Sequence, residues 1–142
     1  MKTAFLRRLA WVALLALAGT PAFAAPALIV HKDLAAEKLT SASVKAIFLG
    51  KKVSWDSGAR VVLAVLKGGP VAEDFLKAHV DQSASSFNNH WRRLAMTGGG
   101  TAPKVFEKEE DLRKFVSETP GAVGFVDSAT ADSSVVVLTP GA

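Results

Sequence analysis

The chain has 142 residues, with 17 lysines and arginines against 13 aspartates and glutamates, and neither cysteine nor tyrosine. That length holds one domain rather than two, and the missing cysteine excludes disulfides, thiol catalysis, zinc–thiolate sites and a lipid-modified cysteine. Lys2, Arg7 and Arg8 take three of the cations, so the 118 residues after position 24 carry fourteen basic to thirteen acidic groups, too even a balance for a nucleic-acid partner.

The first segment, "MKTAFLRRLAWVALLALAGTPAFAA", has a basic start, an apolar run over residues 9–18, and then Gly19, Thr20 and Pro21 before the small-x-small pattern Ala22, Phe23, Ala24. This order is that of a secretory signal peptide. A retained membrane anchor needs about 20 apolar residues, and this run is shorter. The expectation is export with cleavage after Ala24, giving a domain over 25–142 that is free in the periplasm with no membrane anchor.

Beyond the leader, short β-branched runs alternate with segments of helical spacing. "ALIVH" (27–31), "VVLAVL" (61–66), "AVGFV" (122–126) and "VVVL" (135–138) read as buried strands. Val44, Ile47 and Phe48 fall on one helical face, with Thr40 or Ser41 as cap and Gly50 as stop. A shorter helix over about 71–78 carries Phe75 and Leu76. Phe87, Trp91 and Leu94 mark a third, and Leu112, Phe115 and Val116 a fourth, ended by Pro120 and Gly121. On that fourth helix Glu109–Arg113 and Glu110–Lys114 have the spacing of i, i+4 ion pairs. Strands alternating with helices predict a single α/β domain with a mostly parallel sheet.

Catalytic chemistry finds little to stand on. His31, His79 and His90 lie apart from one another and from carboxylates at ligand spacing, whereas a metal site needs three or four convergent ligands. Asp127 and Asp132 sit in "DSATADSS" and read as turn formers. No enzyme activity, metal or cofactor is expected.

Two glycine-rich stretches could meet an anion. In "LKGGPVAEDF" a strand passes through Lys67, Gly68, Gly69 and Pro70 into a helix. Such a turn aims free N–H groups, including that of Val71, and the positive end of the helix dipole at one spot. The same residues also make an ordinary strand-to-helix turn, with Pro70 where its missing N–H does no harm. The second stretch, "TGGGTAPK" (97–104), fails the G-x-x-x-x-G-K-[ST] pattern of a phosphate loop and follows a helix instead of a strand. It reads as a helix-ending loop, which leaves Thr97, Thr101 and Lys104 to line the rim of a pocket.

Three blocks in this order resemble a known family. "LTSASVKAIFLGKKVSWDSGARVVLAVL" resembles a stretch of the phosphate-specific substrate-binding proteins of ABC transporters, and "NNHWRRLAMTGGGTAPK" and "TPGAVGFVD" resemble later blocks of the family's short members. The likeness runs from about residue 27 to 138, and its most specific part is "IFLGK" (47–51) followed by Trp55 and Gly58. The resemblance implies a type II periplasmic-binding-protein-like fold, here a single lobe with a mostly parallel sheet flanked by helices. Full members close two lobes over a phosphate, which one lobe cannot enclose from both sides. They also carry an arginine and then Ser-Gly-Thr at the helix start. Those positions here are near Val65 and at Gly69, Pro70 and Val71, so the glycine turn and Lys67 remain as the anion-binding candidates. The implied function is weak binding of phosphate or a similar oxyanion for an ABC transporter or a sensor. The alternative is a ligand-free interaction or scaffold module of the cell envelope that kept the fold.

Overall fold

The computed structural model describes residues 25–141. The expected leader, residues 1–24, lies outside them. Among the described residues five strands form one sheet: β1 (Pro26–Val30), β2 (Val62–Leu66), β3 (Lys104–Phe106), β4 (Ala122–Asp127) and β5 (Val136–Leu138), in the order β3-β2-β4-β1-β5. β2 is parallel to β3 and to β4, while β1 runs antiparallel to both β4 and β5. Four of the five strands therefore point the same way, in keeping with the mostly parallel α/β lobe expected from the sequence. The central strands are apolar throughout, save Asp127 at the end of β4, because both of their faces are covered, and residues 122–126 of β4 are all buried.

Four helices supply the cover: α1 (Ser41–Phe48), α2 (Pro70–Phe75), α3 (Ala84–Thr97) and α4 (Glu109–Glu118). The pleat of β4 shows how they divide between the faces. A Cβ on Gly124 would stand 2.7 Å from Cδ2 of Leu112 on α4. On the other face the Phe125 ring stacks at 4.3 Å on Phe75 of α2 and lies 6.1 Å from Phe48 of α1. Successive residues of a strand point to opposite faces, so glycine gives α4 room to approach while phenylalanine fills the thicker layer opposite.

The helix ends follow local rules. Thr40 Oγ1 accepts from the Ser43 N–H at 3.1 Å and caps α1, and Ser83 does the same for α3 through the Ser86 N–H. α2 runs directly into a π-helical turn, Leu76–Val80, that ends on Asp81 in the left-handed region, two residues beyond the helix read from the sequence. The i, i+4 pairs expected on α4 do not form. Arg113 instead donates to Thr130 O at 2.8 Å and pairs with Asp132, and Glu109 accepts from the Asp127 N–H. These longer-range partners tie α4 to β4 and to the loop after it. Asp127 and Asp132 also accept from the N–H groups of Ala129 and Ser134, two residues on, which is the turn-forming role expected of them.

β3 is absent from the sequence reading. Its three residues, Lys-Val-Phe, are exposed except for the half-buried Phe106, so no apolar run betrays them. Pairing with β2, at Ala64↔Lys104 through Leu66↔Phe106, makes them a strand.

Each histidine has a structural partner. His31 Nδ1 accepts from the Asp33 N–H, His90 Nε2 lies 2.8 Å from Leu49 O, and the half-buried His79 ring rests 4.7 Å from that of Phe75. Burial disfavours the charged form of His79 and lowers its pKa from the ordinary 6.5. Between the folded and unfolded pKa values the unfolded chain binds more protons, so stability is complete above pH 6.5 and falls as the pH drops below it. Urea midpoints measured from pH 5 to pH 7 should rise with pH, and His79→Asn should flatten that rise. An unchanged slope in the variant would remove His79 from the account.

Candidate functional site

The turn singled out in the sequence sits where β2 hands over to α2. Lys67 still belongs to the sheet edge, its N–H donating to Phe106 O at 2.9 Å. Gly69 adopts φ 96 and ψ 175 as the residue before the helix, a conformation that glycine reaches without steric cost. Pro70 follows at the first helical position, as the sequence implied. The first helical N–H to be accepted is that of Glu73, by Gly69 O at 3.0 Å. The N–H of the half-buried Val71 thus remains as a donor at the turn, whereas Ala72 is fully buried and Pro70 supplies none. A Cβ on Gly68 or Gly69 would meet no atom within 4 Å, so the backbone here faces open space.

The structure therefore brings Lys67, Gly68, Gly69 and Val71 onto one exposed turn. The surrounding charge works against a strong anion site. Lys67 Nζ lies 3.5 Å from Glu107 Oε1, with both side chains largely exposed. Glu73 stands in the first turn of α2, its two oxygens each 3.3 Å from the Ala84 N–H at the start of α3. The first turn of α4 likewise carries Glu109, Glu110 and Asp111. Three helix starts, each a place that favours negative charge, already have carboxylates of the chain itself beside them.

The "TGGGTAPK" stretch ends α3 as expected. Gly98 is the left-handed cap with φ 69, and the Gly99 N–H donates to Leu94 O at 2.8 Å. Thr97 Oγ1 turns back onto the carbonyls of Arg93 and Leu94. Thr101 and Lys104 line a cavity of about 530 Å³ beside the first residues of β2. This cavity lies at the end of β2 opposite the Lys67 turn. Sequence reasoning named two of its wall residues without finding the cavity, because its floor comes from four separate segments.

The fold has relatives among solved structures. A putative phosphate ABC transporter substrate-binding protein with bound phosphate from Clostridium perfringens superposes with a TM-score of 0.63 at 21% identity, over 82% of this chain and 44% of that one. An ABC-type phosphate transport receptor from Vibrio cholerae gives 0.54 at 14% identity, over 80% and 45%. PstS from Borrelia burgdorferi gives 0.54 at 13% identity, over 82% and 47%. No protein-family model and no curated protein matches the sequence. The chain spans about half the length of each of these receptors. It has the periplasmic-binding-protein-like α/β fold of phosphate-transport receptors, in the form of a single lobe.

Proposed function

We propose that this chain is an exported solute-binding-like protein that offers the turn at Lys67, Gly68, Gly69 and Val71 to phosphate or a similar oxyanion. Alone it binds weakly, because one open lobe leaves the anion in water. An ABC permease or another envelope protein closing over the turn would supply the missing wall. The reading is of a binder and invokes neither catalysis nor a cofactor. The observation that carries it is the open glycine turn between β2 and α2, with the Val71 N–H still available, in a fold shared with phosphate-transport receptors.

The test starts from protein recovered from the periplasm of the producing cell, whose first residue should be Ala25. Titrating phosphate into it should move the amide signals of Gly68, Gly69 and Val71 with a Kd of about 1 mM, equivalent to roughly −4 kcal/mol. Lys67→Glu should weaken that response about tenfold. Amide signals that stay still in tens of millimolar phosphate and sulfate would sink the proposal.

A second reading, a ligand-free interaction module of the envelope, is favoured by one specific observation. Glu107 stands on Lys67 and Glu73 occupies the first turn of α2, so like charge meets any incoming anion. The same titration separates the two readings, and Glu107→Gln sharpens it by freeing Lys67. Tighter phosphate binding in that variant supports the oxyanion reading, and silence in both proteins supports the module.

A further inference from the structure

We propose that the cavity beside the first residues of β2 is a second binding site, built for a small amphipathic organic anion, with a carboxylate or sulfonate on an apolar body. Its origin lies in the sheet. β3 pairs with Ala64, Val65 and Leu66 and reaches no further along β2. At the other end Val53 O accepts from the Val61 N–H at 2.9 Å and closes the edge again. Between them Val62 and Leu63 stay uncovered on this edge, and the three steps from Val61 to Ala64 span roughly 10 Å at the rise of a strand. The cavity opens there.

Its lining has two characters. The floor is apolar, made by Ile47, Val62, Leu63, Trp91 and Phe115. The Trp91 ring is wedged between Gly50 and Gly100, where an added Cβ would stand 2.9 and 3.5 Å from it, and its Nε1–H donates to Phe48 O at 2.9 Å. That bond uses the polar end of the indole and leaves carbon to the cavity. The charged lining residues are Lys52, Arg60 and Lys104, with no acid among them. Lys52 is held by Asp56 at 3.2 Å. Among the described residues, Arg60 and Lys104 belong to no ion pair.

An apolar floor under two free cations selects the occupant. Inorganic phosphate would leave the floor empty, and a neutral hydrocarbon would leave the cations unmatched. An added peptide strand needs a long open edge, and this one is shut at both ends by Val53 and β3. A volume of about 530 Å³ suits a small molecule.

Decanoate is the first probe, followed through tryptophan fluorescence of the purified protein, with naphthalene-2-carboxylate beside it to compare an alkyl with an aromatic body. Binding of either below about 1 mM, in the range of modest ligand affinity, supports the site, and binding of neither overturns it. Decanol should bind at least about tenfold more weakly than decanoate, the worth of one charge-assisted contact. Arg60→Glu with Lys104→Glu should weaken decanoate by about the same factor. Ala102→Trp, at an exposed wall position, should abolish binding by filling the space without touching the core. Lys67→Glu should change nothing, and phosphate should not displace decanoate. Equal affinity for decanol, indifference to the double charge reversal or to the Ala102→Trp plug, or displacement by phosphate would each overturn the assignment. Loss of the phosphate response at the Lys67 turn would leave it standing, since the two sites share no residue.

Discussion

Gly121→Ala should cost this domain about 2–5 kcal/mol, a large share of the roughly 5–15 kcal/mol that holds a domain folded. Gly121 is buried at φ 80, and a Cβ there would lie 2.3 Å from the Arg60 carbonyl oxygen. Alanine brings the left-handed penalty of about 1–2 kcal/mol and forces packed backbone apart for about 1–3 kcal/mol more. The displaced groups have other work. The Gly121 carbonyl accepts from Trp55 Nε1–H at 2.9 Å and from the Val62 N–H at 3.0 Å, so a shift loosens the entry to β2 and β4 together. Gly58→Ala isolates the clash, because Gly58 also has positive φ, at 90, but nothing within 4 Å. It should lose only the conformational part. Urea denaturation of both proteins provides the measurement. Equal losses would show that the contact at Arg60 relaxes freely.

This contact also explains what the recognisable sequence blocks do. "IFLGK" and the following Trp55, "NNHW" and "PGAVGF" are far apart in the chain, yet the fold docks each on another. Trp55 reaches Gly121, Trp91 reaches the Phe48 carbonyl, and His90 reaches the Leu49 carbonyl. The blocks that carry the family resemblance are the fasteners of the lobe. They report the fold, and none of their side chains stands at the Lys67 turn.

The elements read from the sequence are those whose signals are local. β2 and residues 122–126 of β4 are apolar at every step because both faces are covered, and α1 shows its stripe and its threonine cap within ten residues. The reversed direction of β1 has no local signal, since it is fixed by pairing with Ala122–Asp127 nearly a hundred positions away. β3 escaped for the same reason, as did the true partners of Arg113 and Glu109. At the candidate site, Gly69 and Pro70 announced the turn correctly. The carboxylates that crowd it could not be read in advance. Glu107 arrives at the end of β3, and Glu73 is committed to the start of α3. The cavity was least legible of all, because it is a gap, and a gap arises from where β3 begins.

Phe75→Ala should be as damaging as the glycine change and should silence the phosphate response before the domain unfolds. Phe75 is fully buried against Phe125 at 4.3 Å and Phe48 at 5.0 Å, and truncating such a ring costs about 3–5 kcal/mol. The local consequence follows from the size of α2. Six residues of helix and one π-helical turn are too few to hold helical form by backbone bonding alone. Phe75, with Ala72, Leu76 and Val80, is what fastens the segment to the sheet. Without the ring the segment should open more often than the strands do, so amide exchange at residues 71–75 should rise more than at β4. The Val71 N–H would then no longer be held beside the glycine turn, and phosphate should leave the Gly68 and Gly69 signals unmoved in protein that is still folded. Phe75→Leu keeps most of the apolar volume and should forfeit mainly the ring-stacking part, about 0.5–1.5 kcal/mol, with the phosphate response retained. If Phe75→Ala lost less than about 1 kcal/mol, or if it kept the phosphate response of the intact chain, the turn would be held by its own backbone, and the link from the aromatic core to the anion site would fail.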